Sequence, residues 1–235
     1  HLELLKERVL SAYREFEFHS IYQGVNAFCT VELSAQYLDI LKDRLYTSRK
    51  DALERRSSQT AMFIITDTLT RLMAPLLSFT SDEIWQFLPG KREVSVHLAT
   101  FPQLHPERKD EQLASNWSRL FDVRADVLKA LELKRVEKTI GHPLDAALQL
   151  SAPAETIAFM NNYLDKLRAI CIVSSLDLTT ELPTEAYQGT VVEGLKVLVQ
   201  KAAGEKCERC WCYSEQLGIN PDHPGICPKC TTAVV

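Results

Sequence analysis

Four cysteines near the C-terminus have the types and spacing of a metal site: Cys207-Glu208-Arg209-Cys210, sixteen intervening residues, then Cys227-Pro228-Lys229-Cys230. A C-x-x-C turn holds two sulfurs about 2.3 Å from one ion, and two such turns complete the tetrahedral four-thiolate shell preferred by structural Zn²⁺. A closed shell leaves no position for substrate, so the predicted zinc is structural. The surrounding tail holds too few large apolar side chains to build a core, which makes metal ligation its source of folding free energy. Cys212 and His223 are the other donors nearby. Both rank below the paired cysteines, because the second pair offers only two thiols and Cys210 closes a tighter loop with Cys207 than Cys212 does. Disulfides are the alternative use, disfavoured because Cys29 and Cys171 fall in apolar patterns and nothing marks the chain as secreted.

Basic residues form a second group. Between Lys42 and Arg56 six cations (Lys42, Arg44, Arg49, Lys50, Arg55, Arg56) face three acids (Asp43, Asp51, Glu54), a local excess of three in a chain of net charge −4. They form either a solvated helix face or a junction whose side chains converge on a phosphate backbone. From Arg119 to Lys138 six basic residues meet four acidic ones, and a solvated face is expected. Arg209 and Trp211 flank Cys210; the indole either covers the metal or faces a partner, and the guanidinium suits a phosphate or a stacked base. Lys206, Arg209 and Lys229 also offset the double negative charge of a zinc tetrathiolate. No G-x-S-x-G, P-loop or dinucleotide fingerprint is present, and His19, His97 and His105 read as surface or structural residues.

The elements that must position these groups follow from periodicity. Apolar content of 46% and charged content of 25% are those of a globular protein, and no apolar run is long enough to span a bilayer. Leu5, Val9, Ala12 and Phe16, then Ile21, Val25 and Phe28, predict two helices. Ser34 is the expected N-cap of a third, carrying Tyr37, Leu38, Leu41 and Leu45. A longer helix from about Arg49 ends at Pro75, and Thr80-Ser81-Asp82-Glu83 predicts a capping box before Trp85. Leu113 to Leu131 predicts one long helix ended by Gly141. Beyond it, strands are expected over 144–150, 169–178 and 191–199, with a helix over 155–168.

The stretch Tyr37-Leu38-Asp39-Ile40-Leu41-Lys42-Asp43-Arg44-Leu45-Tyr46, followed by Gln59, Ala74-Pro75, Phe79-Thr80 and Glu83-Ile84-Trp85, resembles the helical anticodon-binding domain of bacterial isoleucyl-tRNA synthetases. Trp117, Val123-Arg124, Ala130-Leu131-Glu132, Arg135, Ile140-Gly141 and Leu144 resemble the segment that follows, and the Cys-x-Arg-Cys-Trp knuckle resembles that family's terminal zinc module. The H-I-G-H and K-M-S-K-S motifs of its catalytic domain are absent; Thr139-Ile140-Gly141-His142 matches only the tail of the first and is read as a turn. Cys212 departs from the family pattern. The resemblance implies a mainly α chain in three parts: a helical anticodon-binding domain (1–100), an α/β junction domain (101–203) and a zinc module (204–235). It implies a non-catalytic segment that holds isoleucine tRNA, within a cytoplasmic, monomeric ligase using ATP and Mg²⁺ elsewhere. A helical pattern already under way at His1 fits a piece of a longer protein. The rival readings are a DNA-repair glycosylase-type zinc-finger protein, whose family uses an N-terminal proline that His1-Leu2 lacks, and a zinc-stabilised protein-interaction module.

Overall fold

The computed structural model describes residues 1–235. They form two compact units, His1–Asp110 and Glu111–Val235.

The first unit is helical. Leu5, Val9 and Ala12 share one face of α1 (Leu2–Arg14) and pack with Ile21 of α2 (Phe18–Ala27), with Phe28, and with Leu72 of α4 (Leu53–Met73). Without a break, α2 passes through a π-helical segment, Phe28–Leu38, into α3 (Asp39–Thr47). The expected cap at Ser34 is therefore wrong: the residue lies inside a continuous helix, where amides pair five residues back and none is left to cap. As predicted, α4 stops just before Pro75.

The next helix, α5 (Ser78–Phe87), starts ahead of the expected capping box, with Leu77 at the N-cap position. Asp82 serves a tertiary role instead, accepting from the Ser95 hydroxyl at 2.6 Å and the Val96 amide at 2.9 Å. Those bonds seat the chain beyond α5 against Trp85, whose indole N–H donates to Glu93 O at 2.8 Å. The same segment returns to α1, where the buried Lys6 ammonium lies 2.7 Å from both Glu3 Oε2 and Gln103 O.

The second unit packs α6 (Glu111–Val136) and two shorter helices, α7 (Ala154–Asn161) and α8 (Leu164–Cys171), with a four-stranded sheet. Its strands β1 (Ala146–Ser151), β2 (Ser175–Leu178), β3 (Tyr187–Gln188) and β4 (Lys196–Lys201) lie in the order β2-β1-β4-β3. The parallel β1–β2 pair needs a crossover, supplied by α7 and α8; β4 runs antiparallel to both β1 and β3. Leu148 and Leu150 alternate inward beside Val197 and Val199.

Four expectations change here. Residues 169–171 are the last turn of α8, because a short apolar run does not distinguish a buried helix end from a strand. Residues 191–195 form a loop, held by buried Asp126, which accepts from the Thr190 and Val192 amides at 2.8 and 2.9 Å. Asp126 and Arg124, expected on a solvated face, are thus interior; Arg124 donates to Ile170 O at 2.7 Å. Finally, α6 stops at Val136 and is closed by Lys138 rather than Gly141. With φ of +61°, Lys138 occupies the left-handed position of a Schellman turn, and the Thr139 amide donates to Lys134 O at 3.0 Å.

The tail is a short hairpin, β5 (Glu205–Lys206) with β6 (Tyr213–Ser214), followed by α9 (Pro228–Val234). Gly204 precedes it at φ +83°, where an added Cβ would stand 2.3 Å from the Ser214 backbone, so only glycine fits. No helix of the chain is long and apolar enough to cross a membrane.

Candidate metal centre and nucleic-acid interface

The first knuckle is the loop joining β5 to β6, and the second opens α9. Backbone bonds shape the loop: the Cys207 amide donates to Cys212 O and the Trp211 amide to Cys207 O, each at 2.9 Å. Cys227 occupies the N-cap position of α9 and Cys230 its first turn. The two knuckles are tied by the Glu208 amide, 3.0 Å from Gly225 O, and by the Cys227 amide, 3.3 Å from Cys207 Sγ.

All four sulfurs, of Cys207, Cys210, Cys227 and Cys230, lie within 4.8 Å of one another; neither Cys212 nor His223 joins the group. Ligands about 2.3 Å from a tetrahedral ion stand about 3.8 Å apart. The Cys210 and Cys227 sulfurs are separated by 3.7 Å, so the donor set fits zinc. Its electrostatics agree. Burial opposes ionisation of Cys207, yet amides of Cys210, Cys227 and Arg209 donate toward its sulfur and bring the thiol down to about 6. Cys210 is pushed up by its bond with Cys212 and by burial, while burial and neighbouring sulfurs push up Cys227 and Cys230. Four thiolates therefore form together only around a cation.

Trp211 stands beside this cluster in the left-handed region, φ +66°, a costly conformation for a bulky side chain. The residue is 60% exposed, and the Lys206 ammonium lies 5.8 Å from its ring centroid. Arg209 is half-buried and donates toward Cys230 Sγ, which offsets only part of the upward push of burial on that thiol.

The basic cluster lies on the other unit, on α3, the turn after it, and the first turn of α4. Lys42 pairs with Asp39 at 2.7 Å and Arg49 with Asp51 at 3.3 Å, both on exposed sites where ion pairs hold weakly. Arg55 donates to Ser48 O at 3.2 Å, closing the turn. Arg44 is half-buried near Tyr37, whose phenol is pushed up by burial against the pull of that guanidinium. Arg56 is exposed and carries no ion pair.

Residues 1–150 match the family described as the anticodon-binding domain of tRNA ligase, and residues 204–233 match a zinc finger found in FPG and IleRS. The chain belongs to the tRNA-ligase anticodon-binding family. It is similar to isoleucine–tRNA ligases: 54% identical over 233 residues to that of Geobacter sulfurreducens, and 49% over 234 residues to that of Syntrophotalea carbinolica. A third, from Moorella thermoacetica, is 43% identical over 238 residues. Each alignment covers 99% of this chain and about a quarter of the relative. The anticodon-binding match includes the whole basic cluster, and the zinc-finger match includes Arg209, Trp211 and the four clustered cysteines. Sequence reasoning did not foresee the Lys206–Trp211 stack or the strained backbone at Trp211. The signal available for the second was a bulky residue directly after a knuckle cysteine.

Proposed function

We propose that these residues are the tRNA-holding part of an isoleucine–tRNA ligase, without chemistry of their own. Residues 1–100 form the anticodon-binding bundle, 101–203 a junction domain and 204–235 the zinc module. The whole ligase joins isoleucine to its tRNA with ATP and Mg²⁺ in the cytoplasm as a monomer. Cys207, Cys210, Cys227 and Cys230 hold one structural Zn²⁺. Lys42, Arg44, Arg49, Arg55 and Arg56 meet phosphates, and Arg209 and Trp211 meet the anticodon loop. RNA loops are read by splayed bases that stack on aromatics and bond at their edges.

The observation that carries this reading is the exposed Trp211 indole, pinned beside a four-sulfur cluster on a chain of the anticodon-binding family. A metal-pinned backbone presents the ring with little conformational freedom left to lose on binding. The test is Trp211→Ala, with zinc content and tRNA affinity measured on one sample. Full zinc occupancy with about 1 to 3 kcal/mol of lost affinity is expected, the range for a base–aromatic stack. Unchanged affinity at full zinc would refute the role. The zinc-finger description also names FPG, so duplex DNA is the comparison ligand: binding it more tightly than tRNA would favour the DNA-repair class.

A further inference from the structure

A concave polar surface of the second unit lies where the C-terminus of α6, the turn before β1, the end of β4 and the hairpin strand β6 meet. Its volume is about 470 Å³, and Arg135, Lys138, Thr139, Asp145, Lys201 and Tyr213 line it. We infer that this cleft is an RNA-backbone site, taking a phosphodiester group of the strand that passes the zinc module. The inference rests on the tRNA-binding reading above and adds a site to it.

Charge and saturation support it. The cleft's one carboxylate, Asp145, is already committed to the Gly141 and His142 amides at 3.0 and 2.8 Å. Arg135 is held by Glu132 through two bonds, whereas Lys138 and Lys201 are exposed and form no ion pair. Two unshared ammonium groups beside a threonine hydroxyl favour an oligoanion over a neutral ligand. The walls are firm. Ser174 ties them together: its hydroxyl donates to Leu144 O at 2.5 Å and accepts from the Tyr213 amide at 2.7 Å. The zinc module is thereby locked to the turn that carries Gly141.

RNA is favoured over an acidic peptide because Tyr213 follows Trp211 by two residues, so their Cα atoms are at most about 7 Å apart. A strand whose base stacks on Trp211 brings its neighbouring phosphates to the cleft. Lys138 also occupies a left-handed helix-end position at which glycine is the usual residue. Lysine there costs stability and places an ammonium at the cleft edge.

That cost makes the test discriminating. In Lys138→Gly the backbone relaxes, so thermal stability should hold or rise while RNA binding weakens; Lys201→Gln removes the second charge from an exposed strand end. Three RNAs are titrated: isoleucine tRNA, the same tRNA with a changed anticodon, and an RNA stem-loop of unrelated loop sequence. The double variant should lose affinity for all three RNAs, with the salt dependence flattened by about 0.7 of a logarithmic unit per phosphate no longer neutralised. Its preference for the native anticodon should be unchanged. Unchanged affinity and salt slope in a folded double variant would overturn the cleft while leaving the anticodon reading intact. Absence of anticodon preference in the wild-type chain, with the stem-loop effect present, would overturn that reading and keep the cleft. No RNA binding by the wild-type chain would overturn both. Competition by inorganic phosphate beyond that of sodium chloride at matched ionic strength would reassign the cleft to a free phosphate.

Discussion

The helical unit and the zinc module solve the same problem with different materials. In His1–Asp110 the buried cluster is aliphatic and aromatic: Leu5, Val9, Ala12, Ile21, Phe28 and Leu72. Burying each large side chain contributes about 1.5 to 3 kcal/mol, enough in sum to order long helices without help. In the tail the buried cluster is Cys207, Cys227 and Cys230, with only Leu217 and Ile226 as aliphatic neighbours beside Cys210. Sulfur takes the place of hydrocarbon, and its contribution is realised through a metal. The lesson concerns how side chains are presented: a bundle surface carries its cations on mobile stems, whereas a metal-pinned loop can hold one ring in a conformation that few residues tolerate.

The largest effect that would break this contrast is metal removal. Structural zinc sites of this class contribute about 10 to 16 kcal/mol of apparent binding free energy at neutral pH. Chelation, or Cys227→Ser, should therefore unfold residues 204–235 while the helical circular dichroism and melting of the first unit persist. Serine also suits an N-cap, so that substitution removes the sulfur and spares the start of α9. Hydrogen exchange across the chain reads both units at once. A tail that stays protected without metal would end the comparison.

The reciprocal perturbation comes next in size. Leu72 is fully buried among the residues of α1 and α2. Leu72→Ala should destabilise the helical unit by about 2 to 5 kcal/mol, the range for truncating a core leucine. Zinc content should remain stoichiometric. Loss of zinc in parallel with the helices would mean that the two parts fold as one.

How each part reads from sequence follows the same divide. The zinc module was legible because a tetrahedral site is encoded in local spacing, and Cys207, Cys210, Cys227 and Cys230 do converge. The long α6 was legible from its periodicity, as was the stop of α4 before Pro75. The π-helical segment was not, because reading at 3.6 residues per turn sees its shifted faces as a break near Ser34. The start of α5 was missed because Asp82 bonds to Ser95, thirteen residues away, rather than to its own helix. Charge counting missed Asp39, just outside the counted window, which pairs with Lys42. Lys138 and Lys201 share a cleft although they are 63 positions apart in sequence, so no local pattern could join them.

A smaller effect sharpens the contrast in presentation. If the cations of the α3–α4 junction meet phosphates, neutralising Lys42, Arg44 and Arg49 should flatten the salt dependence of tRNA binding by about 0.7 of a logarithmic unit for each phosphate set free. Exposed pairs such as Lys42–Asp39 exchange readily for a phosphate, so their presence in the free protein does not forbid this. Anticodon preference should survive, because phosphate contacts position without reading sequence. An unchanged slope would make the cluster a solvated face, leaving RNA binding to the other unit.

The smallest effect distinguishes the two materials by pH. The Leu72 carbonyl lies in the last turn of α4, where helix carbonyls lack intrahelical donors, and the Tyr13 hydroxyl donates to it at 2.7 Å. Burial pushes the Tyr13 phenol from its ordinary 10 up to about 12. A folded-state pKa above the unfolded one means that the neutral form is stabilised by folding. The contribution is complete below about 10 and is lost as pH rises toward about 12. Tyr13→Phe should cost about 0.5 to 1.5 kcal/mol at neutral pH, the net worth of one hydrogen bond. Plotted against pH, the gap between wild type and variant should close across that alkaline window, because ionised Tyr13 no longer donates. The zinc module should move at the opposite end: its thiolates stay ionised in alkali, and metal is released as acid returns their protons. Unfolding of both proteins, followed with zinc release from pH 4 to 12, tests the pair of expectations. A constant gap through the alkaline range would remove Tyr13 as the cap of α4, and zinc lost first in alkali would show that the tail is not held by its thiolates.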